Sequence, residues 1–434
     1  MLKIKNLNSS NKLITLFILI YLLLVMPDVY FKNIQEFYDP ARDSLSYISL
    51  SESIKEFNKF VRYEFISNGF ETIRTPVYPL FLSMFLSNLK LIIYIQNILH
   101  ILSSVLFYSL ISKFLKNQKL KIIIFIFFLF NPILVSINQL LITESLSIFL
   151  IVLSLYILIN NKNSYIFFLI IGILPLLRPA FVVLSGGILI FQKLFVKDFN
   201  FKKFILITIL LILPTFAWTL RNYQNTDLLI FTSLSGMNLL EETASGVMAI
   251  NEDLKNNESF LNVLNIEYEE RRYWSQILRN QVSLGDISRV IANSPGPTPH
   301  LVANGYQSYA IDIISDHLLE LGILITRAFV YVLLEPGDHL LEYVFNFTNL
   351  SFYKFLIVGI NLFILFFTFK FIFLKLMIER KLDKVVFYYL LLIAPLLLLS
   401  TPHARFGSIL IFFHLYFFSK EISNTKWVKN IDEN

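Results

Sequence analysis

The sequence predicts an all-α polytopic membrane protein with about ten transmembrane helices and helical loops outside them. Three observations carry that prediction. The 434 residues have a mean hydropathy of +0.64. Only 16% of them are charged, where a soluble domain carries about 25%. Long apolar stretches recur from one end to the other, with short basic clusters between them. Those clusters account for most of the net charge of +6, so the charge reads as an orientation signal and not as a nucleic-acid surface. There is no cysteine, which removes disulfides and thiolate chemistry.

The apolar stretches follow in order. Residues 13–26 (LITLFILIYLLLVM) form the first span, behind Lys3, Lys5 and Lys12, which keep the N-terminus inside. Many more apolar segments follow it and no small-residue cleavage site does, so it reads as a span and not as a removed signal. Further spans are expected at 91–111, 121–135, 145–160, 165–177, 180–192, 204–218, 353–373, 385–400 and 406–419. Lys113, Lys116, Lys119 and Lys121, then Lys193, Lys197, Lys202 and Lys203, then Lys370, Lys375, Arg380, Lys381 and Lys384 all fall on one side of this arrangement. Both chain ends then lie inside. NPILVSINQLLITES is expected as a short polar turn outside, and 319–334, apolar around Arg327, as a buried or interfacial helix. The chain divides into an N-terminal transmembrane module (1–218) with a first outer loop (28–90), an extracytoplasmic region (219–350) and a C-terminal transmembrane module (351–434).

The first outer loop is where the polar residues concentrate. Residues 37–79 carry Asp39, Arg42, Asp43, Glu52, Glu56, Arg62, Glu64, Glu71 and Arg74 between two apolar segments. Tyr47, Leu50, Ile54, Phe57 and Val61 recur at helical spacing, with Ser51, Glu52, Lys55, Glu56 and Lys59 opposite them. That pattern is a helix lying on the membrane surface or on the tops of the spans. RTPVYP at 74–79 has two prolines three apart and should force a break.

Under this topology the distinctive polar residues gather on the outer face: Asp39, Asp43, Arg74, Glu144, Arg178, Arg221, His403 and Arg405. Ionisable groups at several span ends on one side define a site. Arginines offer planar donor forks for phosphate oxygens, and a carboxylate takes a proton from an attacking hydroxyl or amine. Each residue also has a structural reading. Asp43 precedes a helix and suits an N-cap. Glu144 suits a structural pair with Arg178. Arg221, following Trp218, suits an interfacial anchor. His403 and Arg405 suit a turn between two spans. Gln96 and His100 read as buried hydrogen-bonding residues, Ser185-Gly186-Gly187 as close helix packing, and the histidines at 300, 317 and 339 lack metal-ligand spacing. No Walker or Rossmann glycine pattern occurs, which argues against ATP-driven transport and direct use of a nucleotide sugar.

The order of these motifs resembles the GT-C superfamily of membrane glycosyltransferases that use polyprenyl-phosphate sugars. Within it the resemblance is to the protein mannosyltransferases (family 39) and the lipid A aminoarabinose transferases. The motifs are RDSLSYISLSESI with Asp43, RTPVYPLFL with Arg74, Tyr78 and Pro79, and LLITESLSIFL with Glu144. LLRPA with Arg178, WTLRNY and SGMNLL with Arg221 and Asn238, and HARFG with His403 and Arg405 follow. They cover roughly residues 12–240 and 385–415. Many relatives have an adjacent Asp-Glu pair in the first loop; here Ser44 follows Asp43, and Asp39 is the candidate second carboxylate.

The resemblance implies a GT-C-like fold in a bacterial plasma (inner) membrane, with the site facing the periplasm. It implies an inverting transfer of a sugar from a polyprenyl-phosphate donor to an extracytoplasmic acceptor, whether glycan, lipid or protein. Asp43 is implied as the base, with Asp39 beside it. Arg405, Arg221, Arg178, Arg74, Tyr78, Glu144 and His403 are implied around the substrate and its phosphate. Phosphate leaves readily once its charge is held, so no cofactor is required, and a divalent metal stays open. Two other classes fit the same composition: a transporter or flippase for a lipid-linked sugar, and a polysaccharide polymerase or ligase. A transporter would place polar residues near the bilayer midplane, and few occur there.

Overall fold

A computed structural model of the chain describes residues 9–39, 43–61, 71–160, 165–195, 200–256, 268–283, 299–334, 337–345, 351–379, 383–398 and 404–425. Among them the regular structure is helical, with no strand. The helices are α1 (Ser9–Phe31), α2 (Asp43–Phe57), α3 (Val77–Ser83), α4 (Lys90–Ile111), α5 (Gln118–Leu129) and α6 (Pro132–Asn138). There follow α7 (Glu144–Asn160), α8 (Tyr165–Leu177), α9 (Val182–Phe195), α10 (Phe201–Thr226), α11 (Leu234–Asn238) and α12 (Ser245–Lys255). The last are α13 (Tyr268–Ser283), α14 (Pro299–Asp316), α15 (Leu318–Leu334), α16 (Asp338–Phe345), α17 (Ser351–Phe373), α18 (Lys384–Ile393) and α19 (Ala404–Ile422).

Among the described residues, the apolar stretches expected to span are helical, except for a break at Phe130-Asn131. Length sorts them. Ser10–Phe31, Lys90–Ile111, Phe201–Thr226 and Phe352–Ile378 are long and apolar enough to cross a membrane. Two bent pairs pass together, α5 with α6 at 43° and Gly305–Asp316 with Leu318–Leu334 at 101°, for a total of up to six. Helices α7, α8, the 179–190 stretch and the 384–398 stretch are apolar but shorter. At 1.5 Å per residue, the 13 residues of α8 reach only about 20 Å, against a hydrocarbon core of about 30 Å.

The helix ends follow from local chemistry. Asn117 Oδ1 accepts from Leu120 N, Asn200 Oδ1 from Lys203 N and Asp383 Oδ1 from Val385 N, so each is an N-cap. Asp227, at φ 57°, ends α10 in the left-handed conformation, with its amide on Tyr223 O.

Three expectations are corrected. The stretch around 131–143 is not a simple polar turn. Asn131 Oδ1 accepts from Ile133 N (3.1 Å) and Leu134 N (3.2 Å), and Pro132 stands at the first turn, so α6 starts there. Its Ile133, Leu134 and Ile137, with Leu140, Leu141 and Ile142, are buried. In α2 the expected Tyr47 and Leu50 are buried, but Ser44, Ile48, Ser51 and Ser53 are buried with them while Phe57 is exposed, so the buried face is wider than the expected apolar stripe and ends before Phe57. Ser51 is small enough to sit inside, and its Oγ is satisfied by Ile48 O at 2.7 Å. Finally, α10 continues past residue 218, where the seventh span was expected to end, to Thr226.

The two expected transmembrane modules share one core. α4 packs on α7 and α8 on α10, while α19 packs on α17 and also on α4, α5, α6 and α7. Buried residues from Val29 to Phe417 form one apolar cluster. Gly172 explains the closeness of α8 and α10: a Cβ there would lie 2.1 Å from Leu210 O. Gly187 similarly admits Leu391 of α18, as the Ser-Gly-Gly reading expected, while Gly186 meets nothing within 4 Å.

The bundle has two distinct ends. At one, Tyr343 Oη donates to Tyr38 O (2.7 Å), Leu141 N to Phe37 O (2.8 Å) and Thr243 Oγ1 to Leu398 O (2.7 Å). At the other, Lys113 meets Asn160, Lys370 pairs with Glu421 (2.9 Å) and Lys420 with Asp383 (3.6 Å). The first loop, Glu144, Arg178 and the end of α10 all lie at the first end. Within the 219–350 region, α15 carries a buried Arg327 that lies over the Tyr331 ring.

Candidate functional site

The site starts at the N-terminus of α2. Asp39 is 3% exposed, and its Oδ1 accepts from Ser44 N (2.6 Å) and Ser44 Oγ (2.7 Å). Ser44 Oγ accepts in turn from Asp39 N (2.9 Å). This closed exchange satisfies a backbone amide at the helix start, the task the sequence suggested for Asp43. Asp43 instead faces Arg74, and its carboxylate Oδ1 accepts from Arg74 Nη2. Both side chains keep a fifth or so of their surface open, 22% for Asp43 and 17% for Arg74.

Arg74 is placed by its neighbours. Glu71 Oε1 accepts from Ile73 N (2.6 Å) and Arg74 N (2.9 Å), folding residues 71–74 into a turn around one carboxylate. The guanidinium lies 5.1 Å over the Tyr47 ring. Burial works against the charge of Arg74; Tyr47, Asp43 and Glu71 outweigh it and hold its pKa above the ordinary value. Tyr47 stacks edge-on to Tyr78 at 5.1 Å. Tyr78 is fully buried and donates to Gln96 Oε1 (2.9 Å), and Gln96 Nε2 donates to Leu140 O (2.8 Å) and Asn138 O (3.2 Å). A continuous line of contacts thus runs from the surface pair into the bundle. Pro76 and Pro79 do not merely break the chain: Pro76 precedes α3, which presents Tyr78 inward.

Glu144 and Arg178 form a second pair. Their closest atoms are 3.0 Å apart, Glu144 is fully buried and Arg178 is 12% exposed. Thr143 Oγ1 adds a hydrogen bond to Glu144 Oε2 (3.2 Å), and Ser145 Oγ donates to Asn138 Oδ1 (2.6 Å). Arg221 points elsewhere. It donates to Glu71 O (2.6 Å), Phe60 O (3.1 Å) and Asn222 Oδ1 (2.9 Å), with its face on Trp218 at 4.8 Å. His100 meets Leu129 O (2.9 Å), as expected of a buried hydrogen-bonding residue. Arg405 lies in the first turn of α19 with its side chain outside the described residues, and His403 lies outside them altogether.

The sequence reading named Asp39, Asp43, Arg74, Tyr78 and Arg221 but gave Tyr47 only an apolar role and Glu71 none. Glu71 was findable: a carboxylate two and three residues before the two amides it caps is a local turn signal. Tyr47 was not, because its contact with Arg74 is non-local.

The bundle also holds an apolar groove. A cavity of about 530 Å³ lies between α5, α17 and α19, with Asn131, Pro132 and Val332 also in its lining. A second of about 380 Å³ continues it toward Leu120 and Phe418, sharing Ile123, Phe127 and Leu415. Along α5, from residue 120 to 129, the groove extends about 14 Å at the helical rise, roughly half of one bilayer core. Comparison of the chain with protein-family models, with curated proteins and with solved structures finds no match.

Proposed function

We propose that this chain is an inverting glycosyltransferase of the bacterial plasma membrane, with a GT-C-like arrangement of about ten spans. It takes a sugar from a polyprenyl-phosphate donor to an extracytoplasmic acceptor. The observation that carries the reading is the division of labour between two acids. Asp39 caps α2, which leaves Asp43 partly open and held by Arg74 at the end of the bundle. A carboxylate so placed suits proton transfer, and a guanidinium beside it suits an anionic substrate.

In this reading the donor's lipid tail occupies the α5/α17/α19 groove, whose walls are almost wholly hydrocarbon. The acceptor oxygen attacks the anomeric carbon, its proton passes to Asp43, and the carbon–oxygen bond to phosphate breaks. Polyprenyl phosphate leaves with the bonding electron pair. Arg74 and Arg405 receive its charge, and Arg178, with Glu144, supports the same end of the bundle. The chain between 219 and 350 reads the acceptor.

The direct assay supplies purified protein with polyprenyl-phosphate sugars and a membrane extract as acceptor source, and follows release of polyprenyl phosphate. Release that requires the acceptor supports the reading. No release with any donor, together with movement of lipid-linked sugar across vesicles, would establish the flippase instead. Orientation is tested separately, because the chain has no cysteine of its own. Asn58→Cys, on an exposed position after α2, should label with an impermeant thiol reagent in intact spheroplasts. Lys116→Cys, exposed at the opposite end, should label only after permeabilisation; the reverse pattern rejects the topology.

A further inference from the structure

Arg221 follows a tryptophan at the end of a long apolar helix, a position that suits an anion ligand. Its contacts tell against that use. Nη1 donates to Glu71 O and Asn222 Oδ1, Nη2 donates to Phe60 O, and one face of the guanidinium rests on Trp218 with Phe60 5.5 Å away. We infer that Arg221 is a positioning residue: it braces the 71–74 turn so that Arg74 faces Asp43, and it does not itself hold the donor phosphate. The second clause rests on the proposed glycosyl transfer; the first does not.

The brace has identifiable parts. Arg221 fixes the carbonyl of Glu71, while the carboxylate of Glu71 fixes the amides of Ile73 and Arg74. From the other side, Ser233 N donates to Thr72 O (2.8 Å), the Thr72 and Ser233 hydroxyls meet at 2.7 Å, and Thr232 Oγ1 donates to Ile73 O (2.7 Å). Asn222, next to Arg221, holds this second segment through Ile230 O (3.1 Å) and Phe231 O (3.0 Å). Two adjacent residues of α10 therefore grip both strands of one junction. The RN pair of WTLRNY and the TS pair of FTSLSG, more than eight residues apart in sequence, serve the same turn.

The chemistry requires arginine. A guanidinium places several donors in one rigid plane, so it can serve two carbonyls while its face stacks on an indole. A lysine keeps the positive charge that a phosphate would need but cannot bridge Phe60 O and Glu71 O in that geometry. Arg221→Lys thus separates the two roles.

The test is hydrogen exchange at the amides of Ile73, Arg74 and Ser233 in the full-length protein in detergent, which needs no substrate. In Arg221→Lys these amides should exchange about tenfold faster or more, the factor that loss of a hydrogen bond from a charged donor carries. Ser112 N, bonded to Tyr108 O at the opposite end, should keep its rate. Unchanged exchange at Ile73 and Arg74 refutes the brace. Glu71→Ala is the second variant: it removes the acceptor and leaves Arg221 intact, and it should free the same two amides. If it does not, the turn is not held as described. In the transfer assay Arg221→Lys should lower kcat with the donor KM near wild type. A raised donor KM with kcat preserved would return Arg221 to the phosphate. A wild type that transfers nothing sinks the proposed function and leaves the exchange result to stand by itself.

Discussion

Two carboxylate–arginine pairs lie at the same end of this bundle, and they differ in burial. Glu144 and Arg178 are closed in, with Glu144 fully buried and Thr143 adding a hydrogen bond. Asp43 and Arg74 remain partly open, and Arg74 rests on an aromatic ring. A buried pair cannot lose one partner without stranding a charge, whereas a partly open pair can turn to water. The first therefore reads as structure that also shapes the site, and the second as the part that meets substrate. The comparison predicts opposite signatures for the two acids: large stability loss at Glu144, large rate loss at Asp43.

The largest stability effect should come from breaking the closed pair. Glu144→Gln leaves Arg178 charged and poorly compensated, at a cost of about 3–5 kcal/mol. It should appear as a much lower Tm in detergent, or as loss of the monodisperse species after extraction. Adding Arg178→Met should recover part of that loss, since the two residues are coupled. A Glu144→Gln protein of wild-type stability would mean that the two pairs do not differ in the way their burial suggests.

Tyr78→Phe comes next. It removes the phenol that donates to Gln96 and leaves a buried amide oxygen without that donor, at about 1–3 kcal/mol. Because Tyr78 also carries Tyr47, and Tyr47 carries Arg74, this variant sharpens the comparison. A modest fall in Tm with a fall in rate would show that the open pair is aligned from inside the bundle. A fall in Tm alone would confine Tyr78 to packing.

The fold class was legible because hydrophobic runs and basic clusters are local, additive signals. Among the described residues the expected spans are largely helical, the 121–135 stretch being broken at Phe130-Asn131. What the pattern missed was of two kinds. The first was amphiphilic ambiguity: Ser44 and Ser51 are polar by composition but small enough to pack inside, so the buried face of α2 is wider than its apolar stripe. Likewise Asn131-Pro132 looked like a turn but starts a helix. The second was long-range. The contacts of Arg221 with Glu71, Thr72 with Ser233, and Tyr343 with Tyr38 join residues more than a hundred positions apart, and no local periodicity encodes them. The cap was expected at Asp43, but it fell to Asp39 through Ser44, and Asp43 pairs with Arg74 instead.

The smallest stability effect belongs to Asp43→Asn, about 1 kcal/mol or less, because the pair it weakens is partly open. That makes it the most direct test of the central claim. Asparagine keeps the shape and a hydrogen-bond acceptor for Arg74 but cannot take a proton. The measurement is the rate of polyprenyl phosphate release by purified Asp43→Asn protein, set beside wild type at matched folded concentration. The account predicts a stable protein that still binds donor and releases product ~10²–10⁴-fold more slowly, the range that loss of a general base carries. Turnover at the wild-type rate would contradict it.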